Sequence, residues 1–378
     1  MRLKRGSKLL MAAVAAATAA MVTDSAHAGA TINFGEDKSV SVGFGMRESY
    51  TSAENGAPGG SGRSSDFNLD SARLFFGASL NKNIKGMLNT EWDGDKIRIL
   101  DAAGQFAISP ELNIWAGRLL SPSDRANMAG PYYSLGGGYW AGVASRYGYN
   151  GGIFRGRDDG VVVWGNVGDG GKLGYSFGAF EGHTFGIGSL TQSQANAAGI
   201  KADDSLMYAG RVQYDFWDAE PGYYGTGNYL GGADILAIGV AGRYQKDGIL
   251  TVGKTGKYSS YNVDFLLEKR FKGAGAVALE AAYYDYDTDD IIKSEQGKAY
   301  SAGLSYIFDQ KVGWGKLQPF ARWQKFSADT NIDTKQIDAG VNYIIDGYNA
   351  QISAVYSKTK VTTAADLDKF SVTLQLQF

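Results

Sequence analysis

Lys369-Phe370-Ser371-Val372-Thr373-Leu374-Gln375-Leu376-Gln377-Phe378 closes the sequence, and its alternation decides the fold. Apolar side chains stand at 370, 372, 374, 376 and 378, with Ser, Thr, Gln and Gln between them. Successive side chains of a strand point to opposite faces, so this stretch presents one apolar and one polar face. A soluble sandwich also uses such strands. Here the pattern runs to the last residue and recurs along the whole chain. A strand with lipid outside and water inside is the repeating unit of a transmembrane β-barrel of the outer membrane.

The opposite end reads differently. Arg2, Lys4, Arg5 and Lys8 make a basic start, Leu9 to Val22 an apolar core, and Ala26-His27-Ala28 a small-x-small cleavage site. Residues 1–28 are therefore expected to be a secretory signal peptide, and 29–378 a single barrel domain. Without the leader, 33 bases face 38 acids, a net charge near −5 that makes an exported chain a poor nucleic-acid binder. No later run of 18 apolar residues exists, so no helical span is expected. Gly is plentiful at 53, Tyr at 23, and Pro scarce at 6, which suits strands flanked by interfacial aromatics. With no cysteine there is no disulfide framework, no Cys-held metal or cluster and no covalently attached haem. His183 is the one histidine beyond the leader, too few for a Ser-His-Asp triad together with a multi-His metal site. An enzyme, a cofactor and a metal centre are not expected, and His183 is expected to face solvent.

Alternating segments fall at 38–51, 69–80, 84–93, 96–108, 112–119, 159–167, 172–180, 205–216, 234–245, 260–271, 276–286, 298–308, 316–326, 335–345, 348–358 and 368–378. Most have the ~9–11 residues of a tilted membrane strand. The count is sixteen, even, as in single-chain bacterial barrels. Connections at one end are short; those at the other, including 52–68, 181–204, 246–259 and 287–297, are long. The exception on the short side is 217–233. The longest connection, 120–158, is the third on the outer side. The fold class is thus all-β, a sixteen-stranded antiparallel transmembrane barrel.

Residues 69–122 carry a family resemblance. Ala72-Arg73-Leu74 is followed by Asp101-Ala102, Phe106, Pro110, Leu112, Ile114, Gly117-Arg118 and Pro122, a pattern that resembles the phosphate-selective porin O and P family. Asp70-Ser71 and Arg118 depart from that family's pattern, and no lysine ladder aligns. The resemblance implies a homotrimeric channel with a narrow, anion-attracting pore and a third outer loop folded inward. A terminal Phe is similar to the C-terminal signal read by the barrel-assembly machinery, which makes Phe378 a candidate assembly signal.

The third connection holds Arg125, Arg146, Arg155 and Arg157 against Asp124 before reaching Asp158, a local excess of positive charge. With Arg118 at its entry, these residues are the candidate constriction. Arg73, Arg211, Arg243, Arg322 and Glu268 fall on polar faces and are candidate pore-wall residues. A passing ion feels charge most where the channel is narrow. The pattern points to passive diffusion of small hydrophilic solutes, with anions such as phosphate preferred. A barrel acting as a sheath for a separate electron-transfer or secretion partner is the other reading.

Overall fold

A computed structural model describes residues 29–378 apart from 93, 95, 137, 139–141, 149–153, 187–196, 198, 200–203 and 252–253. The expected leader and the side chain of Arg155 lie outside the described residues.

Sixteen long strands follow one another: β1 Lys38–Ala53, β2 Asp66–Ser79, β3 Ile84–Trp92, β4 Ile97–Ser109, β5 Leu112–Leu120, β6 Arg157–Val167, β7 Leu173–Phe180 and β8 Met207–Asp215. The second half has β9 Ile235–Thr251, β10 Lys254–Phe271, β11 Gly275–Asp287, β12 Gly297–Phe308, β13 Gly315–Ala328, β14 Asp333–Asp346, β15 Ala350–Val361 and β16 Leu367–Gln377. Each pairs antiparallel with the next, and β16 pairs back onto β1. Closure satisfies every strand edge within the chain, as lipid demands. The strands match the alternating segments closely. The clearest difference is the β9–β10 hairpin, which runs to Thr251 and restarts at Lys254. A register shift between Gln245 and Ile249 marks the change.

The two faces separate as the alternation requires. Leu304 is 53% exposed and the adjacent Ser305 2%. Tyr261, Tyr283 and Tyr300 form a row across β10, β11 and β12, with ring centroids 6.0 and 5.3 Å apart. Tyr214 with Phe216 and Tyr306 with Phe308 lie towards the other end. An apolar belt between aromatic rows on a closed barrel belongs to an outer-membrane protein of a Gram-negative bacterium.

Phe378 finishes the closure. Its N–H donates to the Phe44 carbonyl at 2.8 Å, and the two rings sit 5.5 Å apart. Gly29–Gly35 pairs with the part of β1 that β16 leaves open, through Ile32 opposite Val40. Gly29–Gly35 and β16 thus share one edge of β1.

Candidate functional site

The barrel's inward face is polar, but most of it is covered by the chain itself. Two connections supply the cover. The first is the long one between β5 and β6. It opens with a single helical turn, α1 Arg125–Ala129, capped by Asp124, whose carboxylate accepts the Asn127 N–H at 3.2 Å. All five helical residues are buried. The Arg125 N–H donates to Asp264 on β10 at 3.1 Å. Further along, the Tyr132 carbonyl accepts Gln375 on β16 at 3.0 Å, and its hydroxyl meets Ser71 on β2 at 3.1 Å. The Leu135 carbonyl accepts Arg322 on β13. Gln324 takes the N–H groups of Val143 and Ala144 at 3.1 and 3.2 Å. The Tyr147 hydroxyl meets Ser260 on β10 at 3.0 Å, and Arg243 stacks 4.2 Å over its ring. These partners lie on the inward faces of β2, β9, β10, β13 and β16. Asp124 sits among Ser145, Tyr284 and the Asn127 N–H; burial, then the neighbouring Asp264 carboxylate, pushes its carboxyl up to about 6.

The second covering segment is residues 216–234, between β8 and β9. Tyr223 is buried against Trp115 and Trp164, with ring centroids 5.0 and 5.9 Å away. Glu268 on β10 accepts the N–H groups of Tyr229 and Gly231, both at 2.5 Å. Asn228 accepts Gln318 on β13 through its side chain and Tyr348 through its carbonyl, at 3.2 and 2.7 Å. The two segments also meet each other. Arg125 grips Glu220 through both guanidinium branches, at 2.7 and 2.6 Å, and donates to the Thr226 carbonyl at 2.9 Å. Gly227 donates to the Tyr133 carbonyl at 2.9 Å.

A buried guanidinium needs a paired, hydrogen-bonded partner, and this requirement organises the covered wall. Arg211 on β8 holds Asp264 through both branches, at 2.5 and 2.8 Å. Gly239 faces this pair, and a Cβ there would lie 2.2 Å from the Arg211 guanidinium, so only glycine leaves the room. Arg322 pairs with Asp338 at 2.9 Å. Gln318, Asn342, Ser353 and Gln375 are likewise buried.

The wall from β1 to β5 differs. Arg73, Lys85, Met87 and Arg98 face inward yet stay half-buried. Arg73 bonds Glu91 at 2.8 Å, and Arg157 bonds Asp101 at 2.9 Å. Arg47 and Arg73 approach the Tyr132 ring to 5.3 and 4.8 Å. Arg47 has no carboxylate partner among the described residues. Among the described residues, Arg47, Arg73, Lys85 and Arg157 thus stand with Glu91, Asp101 and, at the rim, Asp70.

The candidate constriction residues do not form one group. Arg118 is outside the lumen: it shares the outward row of Ile114, Val161 and Val163 and pairs with Asp159 at 2.8 Å. Strand parity corrects the expectation, since β5 is already regular there. Arg125 is 1% exposed and neutralised by Glu220. Arg146 pairs with Glu295 of an outer connection and stacks 4.1 Å over Phe326. Arg157 lies at the less covered wall, on Asp101. Asp158 accepts Gly182 N–H at 2.9 Å and meets His183 Nε2 at 3.0 Å. His183 is therefore half-buried and partnered rather than simply solvated, and with Asp158 and Glu181 it brings three possible ligand atoms within 4.8 Å of one another. Of the wall residues, Arg73, Arg211, Arg243, Arg322 and Glu268 all face inward. Sequence reasoning missed Glu220 and Glu91. The unexplained length of 217–233 was the one signal that this segment had a place inside.

No family model matches the sequence, and no curated relative is found. The resemblance of residues 69–122 to the phosphate-selective porins is thus unsupported by a family match. Solved structures do share the fold. OmpF of Salmonella typhi, in complex with daunomycin, aligns with a TM-score of 0.60 at 13% identity, covering 92% of this chain and 100% of that one. The anion-selective porin from Comamonas acidovorans gives 0.58 at 14% identity, covering 90% and 100%. A trimer form of OmpT from Vibrio cholerae gives 0.54 at 12% identity, covering 91% and 100%.

Proposed function

We propose that the protein is a passive outer-membrane diffusion channel for small hydrophilic solutes, preferring small anions such as phosphate. The observation that carries this reading is the unequal lumen. A sixteen-stranded barrel is wide enough for a water-filled passage. Here two segments cover the β8–β16 wall and pack on β5 as well. They leave a narrower route past the half-buried Arg73, Lys85 and Met87. There, among the described residues, Arg47, Arg73 and Lys85 stand against Glu91 and, at the rim, Asp70. At short range in a narrow place, salt screens such charges little. The preference then belongs to Arg47, Arg73 and Lys85 more than to Arg125 and Arg146 of the third connection.

The chain would assemble as a homotrimer, as the trimer form among its fold neighbours suggests. Phe378, seated on Phe44, would be the residue presented to the assembly machinery. The sheath reading comes second, because a threaded partner needs the space that residues 121–148 and 216–234 occupy. Planar-bilayer recording tests the proposal. The wild type should conduct, with a reversal potential in a KCl gradient that favours chloride. Replacing Arg47, Arg73 and Lys85 together with Gln should move that potential towards potassium. A folded barrel that passes no current would favour the sheath.

A further inference from the structure

Connections at the inner end of the barrel are two to six residues long, apart from 216–234, which has nineteen. Extra length at that end normally hangs in water. Here it enters the lumen, as its contacts with Trp115, Glu268 and Gln318 show. We infer that residues 216–234 form a second constriction element, entering opposite the third outer connection, with Glu220 controlling how much of the Arg125 charge a solute meets. This rests on the channel reading above.

Two observations support it. The segment fills cross-section that a barrel of this size would leave to water, by placing the Tyr223 ring and the 227–231 backbone against inward side chains. It also supplies the main partner of a buried guanidinium. Without Glu220, the closest remaining carboxylate to the Arg125 side chain is Asp264 at 3.8 Å, which Arg211 already holds through both branches. The third connection therefore carries a compensated charge only while the second segment is in place. A bidentate guanidinium–carboxylate pair fixes position as well as charge, so Arg125 and Glu220 also set the two segments against each other.

The absence of cysteine makes a direct test possible. A Cβ built on Gly225 would lie 3.3 Å from the Met128 Cβ, close to the spacing of a disulfide. Met128→Cys with Gly225→Cys should therefore cross-link in the folded barrel under mild oxidation. Replacing residues 220–231 with Gly-Ser-Gly should raise single-channel conductance roughly two-fold or more, as widening a narrow passage does. Glu220→Gln should move the reversal potential further towards chloride. A folded double-cysteine barrel that does not cross-link overturns the inference, as does an unchanged conductance in a shortened, folded variant. If the wild type is silent and the shortened form conducts, the inference stands and the open-channel reading falls. If the wild type conducts and shortening changes nothing, the channel reading stands alone.

Discussion

The inward faces of β2–β4 and of β8–β16 are built from the same alternating strands, yet they differ in how far their charges are covered. On β8–β16 the buried charges are paired or hydrogen-bonded: Arg211 with Asp264, Arg322 with Asp338, Arg243 with Ser121, and Glu268 with the N–H groups of Tyr229 and Gly231. On β2 and β3, Arg73 and Lys85 stay half-buried, and on β1 Arg47 has no carboxylate partner among the described residues. The difference follows from what lies in front of each wall. Covered charges must be paired because desolvating them alone is costly, whereas partly hydrated charges tolerate imbalance. Local charge counts therefore mislead where segments fold inward. The arginines of the third connection gain their carboxylates from 216–234 and from Glu295, far away in sequence.

The largest expected effect comes from breaking a pair on the covered wall. Asp264→Asn leaves Arg211 and the α1 turn without their shared carboxylate, and removing one partner of a buried pair costs ~3–5 kcal/mol. Folded barrel should be lost at lower urea, read by the heat-modifiable gel shift.

A smaller effect concerns Asp124, which caps α1 inside the lumen. Its carboxyl is raised by burial to about 6 from an ordinary 3.8. The folded state holds this proton more tightly than the unfolded one. Its stabilising contribution is thus complete below pH 3.8 and lost as pH rises through 6. Over that window the group alone is worth roughly 2–3 kcal/mol, from ~1.4 kcal/mol per pKa unit. The melting temperature of the wild type between pH 7.5 and 5 should therefore rise more than that of Asp124→Asn, which keeps a capping side chain and does not titrate. Equal pH slopes in the two proteins would show that Asp124 is not buried there.

How much of this was legible in the sequence differs between wall and filling. A strand repeats every two residues and is written locally, so Leu304 outward, Ser305 inward and the pairing of β16 with β1 followed from alternation alone. The filling is not periodic. Tyr132 meets Ser71 and Gln375 through packing that no spacing announces. Segment 217–233 showed only as a connection too long for its end of the barrel. Arg118 shows the opposite error: it was assigned to the loop, although β5 and β6 are still paired there and its parity puts it outside.

That assignment gives the smallest expected effect. Arg118→Gln removes an ion pair whose side chains are 35% and 49% exposed, and such pairs are worth ~0–1 kcal/mol. Stability and reversal potential should both stay near the wild type. A clear loss of chloride preference would return Arg118 to the passage.

The comparison of the two walls is tested most directly by single cysteines placed in this cysteine-free chain, one on each wall. Lys85 on β3 faces the less covered side, and Ser353 on β15 is fully buried on the covered side. A charged, water-soluble methanethiosulfonate added during bilayer recording should react with Lys85→Cys and lower the conductance in a step. Ser353→Cys should leave it unchanged. If Ser353→Cys reacts as fast as Lys85→Cys and blocks the current equally, water and ions run along the wall described as covered, and the account is wrong.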